Sequence, residues 1–355
     1  MKKITIRDVL EFYEQTLKKT VKNKNKLINL EMHKSEHLKY IVDVLNGIEP
    51  LIHKYNIFLI YEPKPRLIMS LSINDKIINH YYTTNYLIPK LEKKLDDRNV
   101  ATRIGKGTDY AINLVKKYIE FYKRKNKIFY VLKIDISKYF YRIDHDILKA
   151  MLKTDLSDCE YNFVCKIIDS TNYDYINSNI KKILKNNKNL KVPLYEYGKG
   201  LPIGNLSSQC LSIYYLSRLD HYIIHTLKLK HYVRYMDDFL IFSDDLLYLK
   251  KCKEIIINKL NNEYKLDISI NKTFITSSKY GFTFLGYKFF IQNKKTIMIV
   301  KRSSVKNMKK NVKKKIYLYK NEKLKFETYF SSMMNYYYSY RCNKKKIEKI
   351  IDSYL

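Results

Sequence analysis

Residues 231–243 read HYVRYMDDFLIFS, in which two adjacent carboxylates, Asp237 and Asp238, stand between two strongly strand-forming runs. Residues 232–235 and 239–242 predict the arms of a tight antiparallel hairpin with the acids at its tip. Taken alone this is equally an ordinary polar turn, because aspartate is common in turns and needs no ligand there. A second acidic strand end would make it a site.

Residues 129–136, FYVLKIDI, supply that second end. They are apolar on both faces apart from Lys133 and Asp135, which predicts a buried central strand with Asp135 near its C-terminal end. An unpaired carboxylate there costs several kcal/mol, so Asp135 requires a cation, a metal or water. Adjacent antiparallel strands bring Asp135 close to Asp237 and Asp238, the geometry of a centre for two Mg²⁺ ions, with Mn²⁺ as a substitute. Hard oxygen ligands with no competing His/Cys cluster favour these ions. Asp144 and Asp146, by contrast, read as caps at the start of a helix.

The charge balance says what such a centre acts on. Lys and Arg outnumber Asp and Glu 68 to 35, a formal net charge of +33 accompanied by 35 Tyr and 15 Phe. Cations that neutralise phosphates and rings that stack on bases suit nucleic acid rather than a neutral metabolite. Part of the basicity follows from AT-rich coding, which favours Lys, Asn, Ile and Tyr. Five scattered Cys without a CxxC pair argue against a zinc or disulfide framework. No signal peptide and no apolar run of ~20 residues is read. The expectation is a cytoplasmic protein without a membrane partner.

Along the chain, residues 1–50 predict a polar helical layer. Residues 57–61 and a run from Arg66 predict strands about Pro63 and Pro65, with Lys64 and Arg66 as a phosphate clamp or as two solvated cations. Gly105 and Gly107 flank Lys106 before a helix over 110–123, a plausible phosphate seat without the full P-loop pattern. Gly198, Gly200 and Gly204 open one long helix, with Gly204 allowing close approach to the backbone. Residues 246–264 predict a helix, 266–275 a strand carrying Lys272, 281–291 a further strand, and the rest a basic helical tail rich in Tyr.

These motifs, in this order, resemble reverse transcriptases of the bacterial, group II intron-like lineage over residues 57–287. Tyr235-Met236-Asp237-Asp238 is similar to their YxDD motif, Asp135 with Phe140 to the first catalytic motif, and Phe284-Leu285-Gly286 to the primer grip. Within that lineage the chain is most similar to diversity-generating retroelement enzymes, with defence-associated (anti-phage) ones next. Residues 203–209, IGNLSSQ, follow their (I/L)GNxxSQ form; EPKPR and RIGKGTDYA resemble their finger motifs. Ile203 stands where most reverse transcriptases carry a glutamine, a change the resemblance associates with low template fidelity.

The resemblance implies an RNA-directed DNA polymerase with an α+β right-hand fold. An N-terminal helical extension takes 1–50, and fingers and palm take 51–295. The palm lies mainly in 128–150 and 198–295, an antiparallel sheet bearing the YxDD hairpin; a basic helical thumb takes 296–355. It implies Asp135, Ile136, Asp237 and Asp238 at the metals, the first and third as principal ligands. Lys64, Arg66, Phe140, Ile203, Gly204, Gln209 and Lys272 are implied around the nucleotide. Arg103, Lys106, Tyr235, Met236, Phe284, Leu285 and Gly286 are implied along template and primer. Lys272 is a candidate proton donor to pyrophosphate or a strand-edge lysine. Implied partners are an RNA template, a DNA or RNA primer, dNTPs, a structured non-coding RNA and an accessory protein. Untemplated or protein-primed synthesis, and a non-catalytic RNA-binding protein, are the competing readings.

Overall fold

The computed structural model describes residues 3–21, 24–61, 65–125, 128–187, 190, 192–339 and 344–353. Lys64 lies outside them. The fold is α+β. Strands β1 (Tyr55–Ile60) and β2 (Arg66–Leu71) form an antiparallel hairpin. Its apolar side, Tyr55, Ile57, Leu67 and Met69, packs with Ile176 and Ile180 of the helix Asp174–Lys185.

The central sheet holds β3 (Tyr130–Asp135), β4 (Tyr232–Tyr235), β5 (Asp238–Ser243) and β6 (Phe274–Ser277), in the order β4-β5-β3-β6 and antiparallel throughout. Alternation along these strands sends side chains to two buried faces, so the sheet is a middle layer. Leu132, Ile134, Phe239 and Ile241 face helices that include Leu206–Tyr215 and Leu246–Asn262. Val131, Val233, Leu240 and Phe242 face the helix Thr108–Arg124 and a second sheet. That helix presents Ala111, Val115, Tyr118 and Tyr122 as one stripe. Tyr118 and Tyr122 also donate hydrogen bonds to the carbonyls of Tyr232 and Phe242, each at 3.1 Å.

The second sheet is β7 (Phe282–Phe284), β8 (Tyr287–Gln292) and β9 (Lys295–Val300), antiparallel in that order. It corrects two expectations. Residues 281–291 are two strands rather than one, folded back through a two-residue turn at Leu285 (φ 46°) and Gly286 (φ 84°), where both central residues take the positive φ that matches strand twist. The basic helices begin at Arg302, because 295–300 is a strand. Helices Arg302–Lys320, Phe326–Ser339 and Lys344–Asp352 then gather around Met308, Val312, Ile316, Tyr329 and Met333.

Two further readings change. The helix that follows Gly204 ends at Tyr215, since Leu216 leaves helical geometry (φ −100°, ψ 9°). The chain resumes as Ser217–His221 and a wide turn, Tyr222–Thr226. Lys272 is not on a strand but in the single turn Ile270–Lys272, and β6 starts only at Phe274. Asp144 does cap a helix, accepting from the amides of Asp146 and Ile147. No helix of the described residues is long and apolar enough to cross a membrane.

Candidate active site

Register places the acids. Asp135, the last residue of β3, pairs directly with Asp238, the first of β5, while Tyr235 of β4 pairs with Asp238 across a two-residue turn of Met236 and Asp237. The Ile136 amide donates to the Asp237 carbonyl at 3.2 Å, tying the turn to the end of β3. Met236 takes φ 56°, a conformation that favours glycine, so the turn is strained and must be held by its surroundings.

The holder is Arg234, which reads in sequence as one more strand residue. Its guanidinium is fully buried and donates to the Met236 carbonyl at 3.0 Å, to the Ile213 carbonyl at 2.8 Å and to both oxygens of buried Asp220, at 2.7 and 2.5 Å. Asp220 also accepts from Tyr232 Oη at 2.6 Å and from Asn99 Nδ2 at 3.3 Å. This network, which engages both Asp220 oxygens and all three guanidinium nitrogens, fixes the turn beneath the acids.

Asp135, Asp237 and Asp238 line one cavity of about 760 Å³. Lys272 Nζ lies 2.7 Å from Asp135 Oδ1. Lys133 Nζ lies 2.9 Å from both Asp238 oxygens and donates its hydrogen bond to Oδ2. Lys133 also donates to the Thr283 carbonyl of β7 at 3.0 Å, so one ammonium links the acidic turn to the second sheet. The two lysines pull Asp135 and Asp238 different ways, and the three carboxylates do not all come within 4.8 Å of one another. Burial, reinforced by the Asp135 charge, holds Asp237 above the usual carboxylate range. Burial also pushes Asp238 up to about 6 against the opposing pull of Lys133. Largely buried acids that repel one another, with no soft ligand beside them, fit a hard divalent cation.

The other predicted residues divide. Arg66, Ile136, Phe140, Ile203, Gly204, Gln209, Lys272, Tyr235, Met236 and Leu285 all line the same cavity as the acids. Gly204 has φ 113°, and a Cβ there would stand 2.9 Å from Ile68 Cγ2, so glycine lets the turn press against β2. The Met69 amide donating to the Ile203 carbonyl at 2.8 Å completes that junction. Gly204→Ala is expected to cost about 1–3 kcal/mol through strain, measured as a lower urea midpoint.

Three residues are placed differently from the template and primer contacts expected of them. Arg103 is turned inward, with Nε 2.7 Å from Glu92 and Nη1 on the carbonyls of Asp96 and Asn99. Lys106 pairs with Asp97 at 2.5 Å. Phe284 is buried among Val131, Phe282 and Phe289, so its ring is core, and Gly286 supplies the turn beside it. Sequence reading overlooked Lys138, which lines the cavity at φ 53°, as well as the Lys133 bridge and the Arg234–Asp220 pair. A signal existed for Lys133 and Arg234, since each is a cation inside a run otherwise built for burial.

Residues 52–289, more than half of the chain, match the family model described as reverse transcriptase (RNA-dependent DNA polymerase). No curated protein matches the chain. Among solved structures, apo telomerase from Candida tropicalis, truncated from its C-terminal domain, is similar at TM-score 0.48 and 17% identity. That match covers 72% of this chain and 56% of the telomerase chain. Telomerase from Candida albicans, in complex with a TWJ fragment of telomeric RNA, is similar at TM-score 0.46 and 15% identity, covering 84% and 55%. The chain thus spans little more than half the length of these structures.

Proposed function

Because the chain belongs to the reverse transcriptase (RNA-dependent DNA polymerase) family, whose reaction is nucleotidyl transfer, we propose that it copies an RNA template into DNA at the cavity lined by Asp135, Asp237 and Asp238. The observation that carries this reading is the convergence of these acids with Arg66 and Lys272 on one open cavity, bordered by the residues 203–209 turn. Divalent ions, Mg²⁺ in our reading with Mn²⁺ as substitute, when bound supply Lewis acidity to the attacking 3′-hydroxyl and the leaving pyrophosphate.

The chain's own residues do the rest. Asp135 and Asp237 would hold the cations, with Ile136 beside them, and Asp238, turned toward Lys133, keeps the site's shape. Arg66 meets the triphosphate, and Phe140 lies under the sugar. Lys272, half-exposed and already at Asp135, gives a proton to departing pyrophosphate. Lys272→Ala is then expected to slow single-turnover addition by about a hundredfold while leaving the thermal midpoint unchanged. The partners are an RNA template, a DNA or RNA primer and dNTPs, with a structured non-coding RNA and an accessory protein as further ones. The excess of cations makes binding fall steeply with salt.

The finer placement is in a diversity-generating retroelement. Ile203 supports it, since it lines the cavity with Gly204 where an amide side chain would otherwise meet the incoming nucleotide. Sequencing products made with and without added RNA tests this. Template-complementary DNA with frequent substitutions, reduced in Ile203→Gln, is expected. Products of equal yield and sequence without template would instead mark untemplated synthesis of the kind associated with phage defence.

A further inference from the structure

Outside the catalytic cavity, the described residues bring two imidazoles and a carboxylate together: one ligand atom each of Asp96, His221 and His225 lies within 4.8 Å of the others. We propose that these three residues form a second metal site, for a transition-series divalent ion of the Zn²⁺ or Co²⁺ type. The spacing follows from local structure. His221 ends the helix Ser217–His221 and His225 sits in the wide turn Tyr222–Thr226, so they are four residues apart with rings stacked at 5.7 Å and 17°. Asp96 comes from the loop that runs toward the edge of the central sheet, where Asn99 bridges Arg234.

Groups outside the cluster already orient two of the ligands. His221 Nε2 lies 2.9 Å from the Lys94 carbonyl. A carbonyl only accepts, so Nε2 carries the proton and Nδ1 keeps its lone pair for a metal. A second ring nitrogen fixed in this way is a usual companion of histidine ligation. Asp96 accepts from the Arg98 amide at 2.8 Å and from Arg98 Nη1 at 3.0 Å on each oxygen. A carboxylate offers about four lone-pair positions, so these bonds orient Asp96 without exhausting it. Arg98 also offsets its charge. Two neutral nitrogens and one partly neutralised carboxylate suit a borderline ion and disfavour Mg²⁺, which demands oxygen. Three protein ligands leave the fourth position to water.

The position gives the site a use. His221 adjoins Asp220, the partner of the Arg234 that holds the Met236 carbonyl, and Asp96 lies three residues before Asn99, which also donates to Asp220. An ion here fastens the loop to the helix on both sides of the pair that supports the catalytic turn. Its role is to brace that support.

The test is Co²⁺ and Zn²⁺ titration of the chelator-treated full chain in an Asp237→Ala background, so that the catalytic acids do not dominate. Calorimetry is expected to show one Zn²⁺ per chain, and Co²⁺ to give the visible absorption of a low-symmetry nitrogen–oxygen site. His225→Ala and His221→Ala should each weaken binding at least about tenfold and remove the thermal stabilisation by Zn²⁺. Exposed His225 can be replaced without disturbing the core, and circular dichroism verifies that it has been. His33→Ala and Cys159→Ser should leave binding intact; His33 and His37 share the four-residue spacing but belong to no three-ligand group. Binding unaffected by His225→Ala, or lost with His33→Ala or Cys159→Ser, overturns the proposal, as does the absence of any Co²⁺ spectrum.

Discussion

Asp237→Ala is expected to slow nucleotide addition by at least about a thousandfold, while the metal-free chain unfolds at the same or a higher temperature than the unaltered one. The rate effect follows from losing a ligand that places the ions. Their Lewis-acid contribution is worth several kcal/mol, and about 1.4 kcal/mol is a factor of ten. The stability effect has the opposite sign because Asp237 is a half-buried acid held above its usual range by burial and by Asp135. Removing it removes that conflict in the absence of metal. Asp238→Asn should cost less activity, since Asp238 is committed to Lys133. Single-turnover primer extension and thermal melts with and without Mg²⁺ check both halves. A variant that loses activity only because it melts early would contradict this account.

Arg234→Met is expected to destabilise the chain by about 3–5 kcal/mol, because it strands the fully buried Asp220 carboxylate without its cation. Burying a charge pair is itself near break-even, so the loss lies in the unpaired acid rather than in the pair. Arg234→Met combined with Asp220→Leu should therefore recover much of the stability but not the activity. Met236 at positive φ would then lack the guanidinium on its carbonyl. Urea unfolding of the three variants, read with primer extension, separates the roles. Equal destabilisation by the single and double variants would contradict the argument.

What the sequence revealed and what it hid follow from the range of the interactions. The hairpin and the β3 strand were readable because strand alternation and turn chemistry act over a few residues, and Asp135 at a second strand end turned an otherwise ordinary polar turn into a site. The switch from helix to turn at Leu216 and the break at Ile270–Lys272 were not. Residues 266–275, LDISINKTFI, alternate as a strand does, yet Ile268 makes only an isolated bridge to Ile136. Arg103 and Lys106 show a second limit, since a cation in a loop reads alike whether it faces a polyanion or its own Glu92 and Asp97. Arg234 and Asp220 were invisible as a pair because only the folding of the helix Ser217–His221 onto the sheet brings them together.

The central claim is that the cavity at Asp135 and Asp237 makes DNA on an RNA template. Its most direct test is extension of an annealed primer on a heteropolymeric RNA with Mg²⁺, omitting one dNTP at a time. The account predicts DNA that stops one position before each template base calling for the omitted nucleotide, and that is absent with Asp135→Ala. Products indifferent to which dNTP is omitted, or equally abundant with Asp135→Ala, would contradict it.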